Sequence, residues 1–148
     1  MNILKCEDYF IIKVRFYASR YYLKKFYNNE SIGRQKHWEA AKNHTEFFWN
    51  FIEKVTGTLS DKYYEKYMFN AKECVIEELN ETYGIIIVEG EGYYKYFIPK
   101  NDSNLELVEW VKKNIKNPYK VLKKTYTFDK TPTRGIRDYV EKVKKEKE

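Results

Sequence analysis

A chain of 148 residues that is 43% hydrophobic, with only 6 Gly and 3 Pro, is too apolar for a disordered tail and too poor in Gly and Pro for a collagenous or low-complexity chain. It carries 28 Lys+Arg against 22 Asp+Glu, a formal charge of +6, and its longest stretch free of those residues, Thr82 to Val88, falls far short of the about 20 apolar residues that a membrane span needs. Lys5, Glu7, Asp8, Lys13 and Arg15 leave no signal-peptide core near the start, so the expectation is one cytoplasmic domain over residues 1–148 with no membrane partner.

The first element expected is a strand over residues 9–17. Phe10, Ile12, Val14 and Phe16 alternate on one face, and Tyr9, Ile11, Lys13, Arg15 and Tyr17 occupy the other. Residues 19–28 read ambiguously, as one short helix ended by Asn28-Asn29. A long helix follows from Ser31, as its cap, to Thr56, with Trp38, Ala41, Thr45, Phe48, Ile52 and Val55 at helical spacing and Gly57 as the terminal cap. Ser60 opens a second helix to about Glu81 with Tyr64, Met68, Ala71, Val75 and Leu79 as its stripe. Residues 84–89 and 93–98, joined by Gly90-Glu91-Gly92, read as a hairpin. Ser103 and Glu106 form a capping box for a helix with Leu105, Val108, Val111 and Ile115 inside, stopped at Asn117-Pro118. A last strand over 119–128 and a basic helix after Thr131-Pro132-Thr133, with Ile136, Val140 and Val143 inside, complete the chain. Setting aside the second and last helices leaves β-α-β-β-α-β. The expected fold is therefore α+β, an antiparallel sheet of about four strands in a ferredoxin-like βαββαβ order, with an extra helix after the first long helix and a C-terminal helix.

Charge is unevenly spread. Residues 1–36 hold 8 basic and 3 acidic side chains, residues 37–111 hold 7 and 14, and residues 112–148 hold 13 and 5. If the two cationic ends meet in space they form one basic surface, the electrostatic footprint of a phosphate-backbone binder. In a ferredoxin-like sheet the first and third strands are central, and the face away from the helices would carry Tyr9, Ile11, Lys13, Arg15 and Tyr17 beside Tyr93, Lys95 and Phe97. Rings interleaved with cations suit single-stranded nucleic acid, whose bases stack while ammonium and guanidinium groups meet phosphates. Gly92-Tyr93-Tyr94-Lys95-Tyr96-Phe97 is similar to the third strand of the RNA-recognition motif in placing Gly before aromatics, although Glu91 stands where that motif has a basic residue. Arg134, Arg137, Lys142, Lys144 and Lys145, on or after the last helix, could track a phosphate backbone or dock on the acidic middle of a second copy, as in a homodimer.

Catalytic alternatives are sparser. Ile87-Val88-Glu89-Gly90-Glu91-Gly92-Tyr93 resembles the end of a LAGLIDADG homing-endonuclease motif, which implies Glu91 or Glu89 as ligand of Mg²⁺ or Mn²⁺ in a metal-dependent nuclease. That motif sits on a helix, whereas three consecutive isoleucines here favour a strand. His37 and His44 lie seven apart, too far along one helix to share a tetrahedral metal directly, and are expected to pack beside the Phe-rich stripe. Cys6 and Cys74 have no Cys-x-x-Cys partner and are expected as reduced thiols. No nucleotide-binding loop occurs, and no cofactor is expected outside the nuclease alternative. The leading expectation is a non-catalytic nucleic-acid-binding domain; a third alternative is a protein–protein module or inhibitor that grips a partner through aromatic side chains. The abundance of Lys, Glu, Ile and Tyr with few Ala would suit a thermophile or its virus.

Overall fold

The computed structural model describes residues 3–4, 8–17, 19–123 and 126–127. In chain order these form β1 (Ile3–Leu4), β2 (Tyr9–Arg15), α1 (Ser19–Lys25), α2 (Glu30–Thr56), α3 (Ser60–Tyr67), a 3₁₀ turn (Met68–Asn70), α4 (Ala71–Tyr83), β3 (Ile86–Gly90), β4 (Tyr93–Pro99), α5 (Leu105–Asn114), β5 (Tyr119–Leu122) and β6 (Tyr126–Thr127). The fold is mixed α+β. Four strands make an antiparallel sheet in the order β3-β4-β2-β5, and β1 pairs with β6 in a separate two-stranded ribbon. The expected C-terminal helix, with Ile136, Val140 and Val143, lies outside the described residues, as does Cys6. Among the described residues, no helix is long and apolar enough to cross a membrane.

The alternation of β2 builds the main core. Ile12 and Val14 are fully buried with Ile87, Tyr94, Tyr96 and Ile98 of the neighbouring strands, and Phe10 and Phe16 pack at the margin. Against this face lie Phe47, Phe48, Phe51 and Ile52 of α2, Val75, Ile76 and Leu79 of α4, and Val108 and Val111 of α5. Burying side chains of this size contributes about 1.5–3 kcal/mol each, so this layer dominates the stability.

Several local expectations are revised. Asn29, not Ser31, caps α2: its side chain accepts from the Ile32 N–H at 3.3 Å. Gly57 ends the helix as expected, its N–H donating to Glu53 O at 2.8 Å. The buried stripe of α2 runs through His44, Phe47, Phe48, Phe51 and Ile52, whereas Trp38 and Thr45 face solvent. The reason is that the sheet contact lies over the second half of the helix, while Gly33 near its start lets α1 approach. A Cβ on Gly33 would lie 2.9 Å from Tyr22 O. The expected single helix over 60–81 is broken at Met68, which holds a positive φ of 52°, so Tyr64 and Met68 leave the core and α4 starts afresh at Ala71. A side chain with Cβ is strained there, which implies that the surroundings impose the break. The capping box at Ser103 is replaced by Asn101, whose Oδ1 accepts from Asn104 N at 3.0 Å and Ser103 Oγ at 2.6 Å, and Leu105 is exposed.

Candidate nucleic-acid interface

The hairpin forms where the β-branched run and the glycines placed it. β3 and β4 pair from Ile86↔Phe97 to Gly90↔Tyr93 through the turn Glu91-Gly92. Residues that face each other across antiparallel strands share one face of the sheet. On the face away from the helical core this register aligns Val88, Lys95, Lys13 and Lys120 across four strands. Arg15 and Tyr93 form the adjacent facing pair, and Tyr9 faces Pro99 at the far end. Three lysines thus stand shoulder to shoulder on β4, β2 and β5, with facing Cα atoms about 4.5–5.5 Å apart.

Their electrostatics follow from that crowding. Burial first, then Arg15 and Lys120, lowers the pKa of Lys13. Burial and then Lys13 lower that of Lys95 to about 8. Part of the repulsion is absorbed by one ring: Lys13 Nζ lies 4.5 Å and Lys95 Nζ 5.0 Å from the centroid of Tyr93. Gly90 makes room for that ring. A Cβ there would fall 2.1 Å from Tyr93 Cζ, so no larger residue fits without moving the tyrosine.

The face is not an open platform throughout. Ile11 and Phe97 are fully buried, Ile86 and Val88 nearly so, and Lys95 is 7% exposed. Tyr9 meets Phe97 edge-on at 6.2 Å. Expecting both central strands to offer their whole outer face overlooked that apolar members of an alternating strand also seek cover. Accessible groups lie to one side of this closed centre: Lys13, Arg15 and Tyr93 are half-buried and Lys120 is exposed.

The row leads to a second aromatic group at the end of β2. Phe16 N–H and Tyr17 N–H both donate to Gly92 O at 2.9 Å, which ties the strand end to the hairpin turn. Tyr17 takes a positive φ of 54° and its ring stacks on Tyr21 at 4.4 Å, with Tyr22 edge-on to both. His37 Nδ1 lies 3.2 Å from Tyr17 O. α1 therefore brings Arg20, Tyr21 and Lys24 next to the turn, and Arg20 forms an ion pair with Glu91 at 2.5 Å. The sequence reading missed Arg20, Tyr21, Lys24 and Lys120. The spacing of Arg20 and Lys24, four apart, was the visible signal for those two cations; Lys120 needed the register.

The opposite face gathers polar groups of another kind. His44 Nε2 is hydrogen-bonded to the Tyr96 hydroxyl at 3.0 Å, and its ring stacks on Tyr94 at 3.9 Å. Lys72 Nζ donates to the Tyr94 hydroxyl and pairs with Glu89 at 3.3 Å. Burial, and secondarily Lys72, lowers the pKa of His44 to about 3, and burial raises those of Tyr94 and Tyr96. His44 packs beside Phe16 and Phe47, as expected of a histidine flanking the Phe-rich stripe.

The structure separates the candidate carboxylates. Glu89 faces the helices and pairs with Lys72, whereas Glu91 lies in the turn and pairs with Arg20. The segment is strand and turn, not the helix that the homing-endonuclease motif requires. Among the described residues, no group of three or more His, Cys, Asp or Glu could hold a metal ion. Cys74 is a free thiol on α4, its pKa raised by burial and by Glu77 and Glu73. Arg134, Arg137, Lys142, Lys144 and Lys145 lie outside the described residues. A protein partner would find its apolar purchase on the α3–α4 corner, where Leu59, Tyr64, Met68 and Phe69 are exposed. Comparison with protein-family models, with curated proteins and with solved structures found no match.

Proposed function

We propose that the protein binds single-stranded nucleic acid through the lysine row and the tyrosines at its end. The observation that carries this reading is the register that places Lys95, Lys13 and Lys120 side by side on three strands. Like charges directly opposite one another destabilise a sheet. Their ammonium groups repel one another across the strands, and a polyanion offsets several cations at once. Tyr93 within the row, and Tyr17 and Tyr21 beyond it, supply rings of the kind on which any base can stack. We also read the four-stranded core as ferredoxin-like. The support is the central position of β2 and β4, the first and third strands of the sheet in chain order, with α2 and α5 as the crossover helices.

The test is a fluorescence titration with an oligonucleotide of about ten residues, within the usual site size for this kind of binding. If the accessible Lys13, Arg15 and Lys120 each neutralise one phosphate, log K falls with log salt at a slope of about −2, roughly 20-fold between about 50 and 200 mM. Lys13→Ala combined with Lys120→Ala should shrink that slope by about two thirds. No binding at the lower salt, or an unchanged slope in the double variant, would overturn the reading.

A further inference from the structure

Arg20, Tyr21, Lys24 and Glu91 surround an open hollow of about 620 Å³, within the size range of small-ligand sites. We infer that this hollow is a nucleotide subsite continuing the lysine row, and that Glu91 is a latch competing with phosphate for Arg20. The inference rests on the nucleic-acid reading above and adds a specific site and a regulatory contact to it.

Three features carry it. The first is a preorganised ring. Tyr21 is held from one side by the Tyr17 stack and from another by the edge of Tyr22, yet is 41% exposed. A base arriving on it orders little that is not already ordered. The second is paired cations. Arg20 and Lys24 stand one turn apart on α1 and meet the hollow from the same side as the ring. The third is the carboxylate. Glu91 occupies the guanidinium at 2.5 Å, although both side chains are well exposed. An ion pair so open to water holds weakly, and an Arg fork accepts a phosphate in the geometry it offers a carboxylate. The hairpin turn that carries Glu91 also carries Gly92, whose carbonyl anchors Tyr17. Latch and ring are therefore fixed to the same turn.

The experiment titrates the full-length protein with an unmodified thymidine oligonucleotide of about ten residues at low salt. It compares the wild type with Tyr21→Ala, Arg20→Ala and Glu91→Gln, and uses the Lys13→Ala/Lys120→Ala variant as the probe of the row. Circular dichroism and melting confirm that each variant folds. Tyr21→Ala and Arg20→Ala should each weaken binding about tenfold, the scale of one lost base stack or charged contact. Glu91→Gln should tighten it about threefold, since a surface pair of this kind is weak. If the row variant weakens binding while the Tyr21 and Arg20 variants leave it unchanged, the subsite is wrong and the broader reading stands. If Glu91→Gln weakens binding or leaves it unchanged, the latch is wrong. A wild type that binds nothing overturns both.

Discussion

On the helix-covered face of the sheet, His44, Tyr96, Tyr94, Lys72 and Glu89 set donors against acceptors and a cation against a carboxylate. On the other face, Lys95, Lys13 and Lys120 place like charges in neighbouring register positions. Burial shifts the pKa values of His44, Tyr94 and Tyr96 on the first face and of Lys13 and Lys95 on the second. The difference lies in the sign of the pairwise interactions. A buried polar network with satisfied partners stabilises a unique packing. Like charges facing one another across strands work against the sheet. The first face reads as architecture, and the second is the face on which the proposed binding rests.

Variants test that contrast. The largest effect should come from the helix-covered face. Phe51 is fully buried against Tyr96 and Trp110, so Phe51→Ala should lower the unfolding free energy by about 3–5 kcal/mol in a denaturant titration. A loss below about 1 kcal/mol would show that this layer is not the main core.

A smaller effect depends on acid. His44 titrates near 3 in the folded protein against 6.5 when unfolded. Below pH 6.5 the unfolded chain takes up a proton that the folded one refuses, so stability falls as the pH drops from 6.5 towards 3. At pH 5 the loss is about 2 kcal/mol. His44→Gln should start from a lower stability but lack this slope; parallel curves for the two proteins would remove His44 as the cause.

The smallest effect has the opposite sign and belongs to the lysine face. Lys13→Met removes the central charge of the row while keeping its aliphatic stem. It should stabilise the free protein by about 0.2–1 kcal/mol at pH 7. Lys95 titrates near 8 when folded, below its ordinary value, so the folded state holds fewer protons than the unfolded one between 8 and 10.5. Wild-type stability from this group therefore rises with pH across that window, and the advantage of Lys13→Met should shrink by pH 9. Melting curves at both pH values test this, and destabilisation at pH 7 would mean the row is structural.

Much of this contrast was legible in the residues. The period of two from Phe10 to Phe16 set the core face of β2, and Ile-Ile-Ile-Val followed by Gly-Glu-Gly set the hairpin. These signals are local, because a strand face and a tight turn are specified by neighbours in the chain. Lys13 and Lys95 were identifiable as cations on the outer face for the same reason. The break at Met68 was not legible, because a positive φ at a methionine is imposed by packing, not by its own preference. Nor was the choice of Asn29 over Ser31 as cap, since both residues can serve and the angle at which α1 meets α2 decides.

What the sequence alone determined was the class of fold, the pairing of β3 with β4, and which face of β2 would be apolar. Tertiary structure alone decided that Lys120 stands beside Lys13, that Arg20 meets Glu91, and that the centre of the outer face is closed over Ile11 and Phe97. The physical reason is range. Alternation and turn chemistry act over a few residues, whereas a cross-strand neighbour is fixed by hydrogen-bond register between segments about a hundred residues apart in the chain.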